Sequence, residues 1–245
     1  MQQVIYMANK NRIWELDAFR GLCILGVIIV HTIFDLQMFG MMTTDTPTFF
    51  NIIRDYGSLL FIVMSGICVT LGRHNLKRGI IVFLCGMVIT GVTYGMYFLE
   101  LADASIQIHF GILHLLGLCM IFYALYKHLP TWAIAIIGVV IILMSFATKS
   151  MISDSFWTVP FGILSRGYMA SDYFPIVPNL GWFMLGTVLG RTVYNKKESL
   201  LPNVPHKNAP ARFLRFCGRH SLWIYLGHQP IIYGAVYLFY TFSNK

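Results

Sequence analysis

Seven stretches of this chain run for 17 residues or more with almost no charge, at about 13–38, 56–72, 79–99, 110–126, 131–148, 174–190 and 221–242. Uncharged apolar runs near 17–25 residues are the length that crosses a bilayer as a helix. The whole composition agrees: 57% of residues are hydrophobic and 11% charged, where a soluble domain has about 45–50% and about 25%. Mean hydropathy is +0.66. The first stretch is too long for the apolar core of a signal peptide and lacks a small-residue cleavage site, so it reads as a span. The expected fold is an all-α integral membrane protein, a bundle of about seven transmembrane helices. Little chain separates the spans, so residues 1–245 read as a single polytopic domain.

The formal net charge of +8 follows topology and does not point to nucleic acid. Lys and Arg concentrate in cytoplasmic loops. With the N-terminus cytoplasmic and the C-terminus outside, the inner side receives Lys10, Arg12, Arg73, Lys77, Arg78, Lys127, Arg191, Lys196, Lys197, Lys207, Arg212, Arg215 and Arg219. Only Arg54, Lys149, Arg166 and Lys245 fall outside, together with Asp35, Asp45, Asp55, Glu100, Asp103, Asp154 and Asp172. This reads as a multi-pass membrane chain with a basic cytoplasmic face. Its basic inner face attracts anions, either lipid headgroups or a phosphorylated cofactor.

Two connections are longer than helix packing needs. Residues 192–220 form a cytoplasmic loop with Pro202, Pro205 and Pro210 followed by basic residues, suited to the membrane surface. Residues 149–173 form the external loop, where Phe156, Trp157, Phe161, Tyr168 and Tyr173 argue for an ordered interfacial segment that roofs a cavity. Cys23, Cys68, Cys85, Cys119 and Cys217 have no metal-ligand spacing and no placement for an external disulfide. Redox chemistry and a metal are therefore not expected.

Four ionisable groups of the first span, Asp17, Arg20, His31 and Asp35, share one face. At about 100° per residue, with Arg20 as zero, His31 falls near 20° and Asp17 and Asp35 both near 60°. Charges at membrane depth are costly and usually face a bundle interior or a wet cavity, so this stripe reads as a polar path. Arg20, which also suits a snorkelling anchor, sits near the cytoplasmic interface, where Asp17 can pair with it. His31 lies in the outer half with Asp35 four residues on, a spacing at which a carboxylate orients an imidazole. That suits a general base.

Later spans add candidates. HFGILHLLG places His109 and His114 near the outer side, with His114 directed toward the same cavity as His31. Asp172 in SDYFPIVP stands just outside the sixth span, where it can also serve as a helix N-cap. In GRHSLWIYLGHQP, Ser221, Tyr225 and His228 share a face. Pro230 there frees a backbone carbonyl inside the span. Ser65 and Gly66 in FIVMSGICVTLG read as close helix packing.

Together RIWELDAFRGLCILGVIIVH, LLFIVMSGICVTLG, HFGILHLLG, SDYFPIVPNLGWFMLG and GRHSLWIYLGHQP resemble the bacterial members of the heparan-α-glucosaminide N-acetyltransferase catalytic-domain family, from Arg12 to about Tyr237. The opening D-x-x-R-G followed by a histidine is also similar to the acyltransferase-3 enzymes, whose functional Arg and His match Arg20 and His31. The chain departs from the lysosomal branch, whose catalytic histidine lies in the first external loop; residues 36–54 here hold none. The resemblance implies transfer of an acetyl or other acyl group from cytosolic acyl-CoA to an extracytoplasmic amino sugar or glycan. Acetyl-CoA is then the donor substrate, and membrane lipids and a homodimer are the further expected partners. The resemblance carries function onto Arg20 and His31 and implies a bacterial cytoplasmic membrane. Position along the spans adds the rest, with His228 read in the inner half, so the expected sites are catalytic His31 and Asp35, donor-binding Arg20, Asp17, His228 and Ser221, and acceptor-binding His114 and Asp172. The competing reading from the polar stripe alone is a proton-coupled transporter of small polar solutes.

Overall fold

The computed structural model describes residues 12–43, 48–100, 106–168, 170, 172–205 and 207–243, without the side chain of Asp55. The expected positions of Lys10, Asp45, Asp103 and Lys245 lie outside the described residues. Among the described residues eight α-helices follow in order: α1 (Trp14–Met38), α2 (Thr48–Leu71), α3 (Asn75–Phe98), α4 (Ile112–Tyr126), α5 (Thr131–Thr148), α6 (Ile176–Thr192), α7 (Ala209–Arg219) and α8 (Ser221–Ser243). A short 3-10 helix, Phe156–Phe161, lies between α5 and α6. Among the described residues the only β structure is two isolated bridges, Phe110 to Tyr173 and Ile152 to Leu164. Helices α1, α2, α3 and α5 are long and apolar enough to cross a membrane, and α4 is apolar but 15 residues long. Helices α6 and α8 coincide with the remaining two expected spans.

The chain divides into two compact units. One comprises Met1–Phe61 and Tyr194–Lys245, the other Ile62–Val193, so that α2 contributes to both.

In the first unit α1 packs against α7 and α8. The buried face of α1 carries carboxylates as well as apolar residues such as Ile24 and Leu16. Asp35 is 1% exposed and Asp17 8%, whereas Leu22 and Phe34 are half exposed. That pattern suits a helix whose outer surface meets lipid and whose polar stripe turns inward. The helix ends in a Schellman motif: Met41 N–H donates to Leu36 O at 2.9 Å and Gly40 N–H to Gln37 O at 3.0 Å. Gly40 takes the left-handed conformation, φ +68°, that this cap requires.

Helix α7 replaces part of what reads as a loop in the sequence. Asn208 Oδ1 accepts from Ala211 N–H at 3.1 Å, and a proline occupies the first turn, both favoured at a helix start. Its crossing with α1 is very close. A Cβ on Gly218 would stand 1.7 Å from Asp17 O, and one on Gly21 2.0 Å from Leu214 O. Its other face exposes Phe213 and Phe216 beside Arg212 and Arg219. Upstream, Glu15 in the first turn of α1 holds the connection, accepting from Leu200 N–H at 2.7 Å and from the Ser199 hydroxyl at 2.8 Å.

In the second unit α3 packs on α4, and α5 packs on α6. The end of α2 meets α6 through Gly66 and Gly186; a Cβ on Gly186 would lie 2.2 Å from Val63 O. Small residues at this position let the two backbones touch, as the S-G pair implies. The segment before α6 is held by its aromatics. Tyr173 donates its hydroxyl to Val159 O at 2.7 Å, and the Tyr168 and Tyr173 rings meet edge-on at 5.4 Å.

Candidate functional site: a polar ladder in the first unit

Four ionisable residues of α1, Asp17, Arg20, His31 and Asp35, each find a counterpart on α7 or α8. Asp17 Oδ2 accepts from Arg219 Nε at 3.2 Å and lies 3.7 Å from Arg12 Nη1. Arg20 Nη2 donates to Ser221 Oγ at 2.9 Å. The His31 ring meets the His228 ring edge-on, centroids 5.0 Å apart. Gln229 Nε2 donates to both oxygens of Asp35, at 3.1 and 3.3 Å. Successive rungs ascend both helices, so α1 and α8 run in the same direction.

The stripe is therefore real, but two of its expected pairings differ. Asp17 pairs with Arg219 and Arg12 and not with Arg20, because the Gly21–Gly218 crossing brings the end of α7 onto the first turns of α1. Arg20 is thereby left to the Ser221 hydroxyl. Asp35 hydrogen-bonds Gln229 and not His31. Its carboxylate is nearly sealed from solvent, and the Gln229 amide supplies a fixed donor against it. Gln229 and Arg219 are members of the ladder that sequence reasoning passed over. An amide side chain directly before a proline inside an apolar span is the signal that marks Gln229.

His228 has a defined tautomer. Its Nδ1 lies 2.5 Å from Tyr225 O. A backbone carbonyl only accepts, so Nδ1 carries the hydrogen. Nε2 is then the ring nitrogen with the lone pair, buried and without a hydrogen-bond partner. The residue is 7% exposed. The adjacent Gln229 Oε1 is also buried and unpartnered. One turn of α8 thus presents two unmet acceptors at the level of His31, just where Pro230 interrupts the helical ladder.

The second unit holds the other two expected site residues. His114 Nδ1 accepts from Gly111 N–H at 3.2 Å, so its Nε2 carries the hydrogen and faces Thr90 Oγ1 at 3.3 Å. The Thr90 hydroxyl donates onward to Ile108 O at 2.7 Å. Phe110 stacks on the imidazole and Phe83 meets it edge-on, both at 5.5 Å. Both ring nitrogens are engaged, and the residue fixes the start of α4. Asp172 does the same from outside the helix: its Oδ2 accepts from Ile112 N–H at 3.2 Å. It caps the neighbouring α4, whereas α6, which it precedes, starts at Pro175 with no side-chain cap.

His109 lies among aromatics, 5.4 Å from both Tyr94 and Tyr168 by ring centroid, with a buried, unpartnered Nδ1. Burial holds its imidazole below the ordinary histidine range. Burial, and then the neighbouring Tyr94, push the Tyr168 phenol up to about 12, so both groups are neutral near pH 7.

No curated protein and no solved structure matches the chain. A family model does, over residues 12–230, a stretch that contains every rung of the ladder from Arg12 to Gln229 and extends to the helix-breaking Pro230. By that match the chain belongs to the heparan-alpha-glucosaminide N-acetyltransferase catalytic family, a family of membrane acetyltransferases.

Proposed function

We propose that the protein moves an acetyl or related acyl group from cytosolic acyl-CoA to an amino sugar or glycan on the extracytoplasmic side, with its N-terminus in the cytoplasm. The observation that carries this reading is the ladder itself. A line of polar residues through an apolar helix is expensive, and a group that must be handed from one side of a bilayer to the other needs such a line.

The roles follow position. Arg20, with Ser221 and with Asp17 paired to Arg219, forms the cytoplasmic end, where the donor's phosphates meet fixed cationic hydrogen-bond donors. The histidine pair His31 and His228 is the reacting level. Asp35, held by Gln229, fixes the end of the pair's helix face and compensates positive charge that develops there. The acceptor's lone pair attacks the thioester carbonyl carbon. A C–N or C–O bond forms, the C–S bond breaks, and the acceptor's proton passes through the histidine pair to the departing thiolate. His114 and Asp172 act as positioning residues in the second unit by fixing α4. Phe213 and Phe216, flanked by arginines, give α7 the character of a helix that rests on lipid.

The test is direct. The protein in proteoliposomes is incubated with labelled acetyl-CoA and envelope extract, and acylated products are identified by mass spectrometry. A positioned proton acceptor contributes about 10²–10⁴-fold, so His31→Ala should lose transfer by that factor while inserting normally. Transfer at the wild-type rate by His31→Ala would remove the assignment.

A further inference from the structure

The two buried, unpartnered atoms beside Pro230 have the same polarity: both are acceptors. His228 Nε2 holds a lone pair because Nδ1–H is committed to Tyr225 O. Gln229 Oε1 is the carbonyl end of an amide whose nitrogen is committed to Asp35. A buried polar atom left unmet costs about 1–3 kcal/mol, so what completes this turn must bring hydrogen-bond donors. At the reacting bond the acyl thioester cannot do so, because its carbonyl oxygen and sulfur only accept. The donor's nearest N–H, an amide of the pantetheine arm, lies back from the sulfur, and its capture here would show as weaker acetyl-CoA binding when His228 is replaced. The group that is transferred onto can, since an amine or hydroxyl carries the hydrogen it will lose.

We infer that His228 and Gln229 bind the acceptor's nucleophilic N–H or O–H group, with His228 Nε2 as the atom that takes its proton. This rests on the acyl-transfer reading above and moves His228 from the donor end, where its position on the last helix had placed it, to the acceptor. His228 is prepared for the task in three ways. Its tautomer is fixed by the Tyr225 carbonyl, its ring is 7% exposed, and its neighbours His31 and Tyr225 pack on it at 5.0 Å by ring centroid. Gln229 is the complementary positioning group. Its amide is oriented by a carboxylate, so the carbonyl end cannot flip away. In the step, the nucleophile's lone pair forms the new bond to the acyl carbon as the C–S bond breaks, its hydrogen passes first to His228 Nε2 and then, through the adjacent His31, to the departing thiolate, which leaves as free CoA thiol.

The experiment uses the full chain in proteoliposomes with acetyl-CoA as donor and glucosamine as acceptor probe. His228→Asn keeps a side-chain N–H able to reach the Tyr225 carbonyl but removes the base nitrogen. Expected are a fall in kcat of about 10²–10⁴-fold and an acetyl-CoA Kd within twofold of wild type. Gln229→Leu should raise the KM for glucosamine while leaving the acetyl-CoA Kd unchanged. A His228→Asn protein that binds acetyl-CoA tenfold more weakly places the residue on the donor and overturns the inference, as does a kcat equal to wild type. Wild-type protein that binds no acetyl-CoA and acylates nothing overturns the transfer reading itself, a distinct outcome.

Discussion

Replacing Gly218 by alanine puts a methyl group where the backbone of α1 already stands. The new Cβ would be 1.7 Å from Asp17 O and 3.0 Å from Gly21 N. Real Cβ contacts essentially never fall below 3.0 Å, so α7 must withdraw from α1 by about 1.3 Å, a form of overpacking that typically costs 1–3 kcal/mol. The atom in the way is a backbone carbonyl, which has no rotamer to escape into. The withdrawal also stretches the 3.2 Å bond between Arg219 and Asp17. At roughly 2–4 °C per kcal/mol for a chain of this size, the melting temperature should fall by about 2–12 °C. The assay is thermal unfolding of the detergent-purified protein followed by tryptophan fluorescence. Gly91→Ala in α3 is the matched control, since nothing lies within 4 Å of its new Cβ. There alanine should stabilise by about 0.5–1 kcal/mol, because a helical glycine gives up more backbone freedom than alanine. A Gly218→Ala protein that melts with wild type, or below it by no more than the control differs, would refute the close crossing of α1 and α7.

Three further outcomes follow from single contacts. Gln229→Leu leaves the Asp35 carboxylate buried without its amide, which should cost about 1–3 kcal/mol in the same melting assay; an unchanged melting temperature would mean the carboxylate has another donor. Asp172→Ala removes an acceptor from the first turn of α4 and should cost about 1 kcal/mol, whereas Asp172→Asn keeps an oxygen there and should cost less; equal losses would deny the capping role. His109 has a folded-state pKa below its ordinary value of 6.5, so the unfolded chain binds its proton more readily. Its contribution to stability is therefore intact above about pH 6.5 and is lost as pH falls below it. His109→Phe should flatten the decline in melting temperature between pH 7 and pH 5, and an identical decline would contradict the burial of this imidazole.

Much of the first unit is legible in the chain because helical periodicity is a local property. The stripe Asp17, Arg20, His31 and Asp35 is set by spacing alone, and the ladder follows from it. Ser221 and His228 stand out by their shared face, but the pairings are not legible, because the partners lie about 200 residues away: Arg20 meets Ser221 across 201 positions and Asp35 meets Gln229 across 194. Nearest-neighbour reasoning therefore gave Asp17 to Arg20 and Asp35 to His31, residues on the same helix. Tertiary contacts took both carboxylates elsewhere. Helix α7 is hidden for another reason. Three prolines lie before or within its first turn and too few of its residues are apolar to mark a span, so the segment reads as a loop, although its apolar and basic residues follow the helical period and the Asn208 cap with Pro210 in the first turn is a local start signal. The tautomer of His228 depends on a single carbonyl distance and has no sequence signature.

The separation of the rungs along the chain also has a meaning during synthesis. Ribosomes add about 5–20 residues per second, so roughly 10–40 s pass between the emergence of α1 and that of α8. For that interval Arg20, His31 and Asp35 stand on a nascent helix with none of their partners on α8 yet made. A polar helix in that state is a poor guest of lipid. Biogenesis of this protein thus includes a waiting period in which α1 must be sheltered by the insertion machinery, by water at the membrane surface or by the first part of α2, and its final seating waits on the arrival of α8.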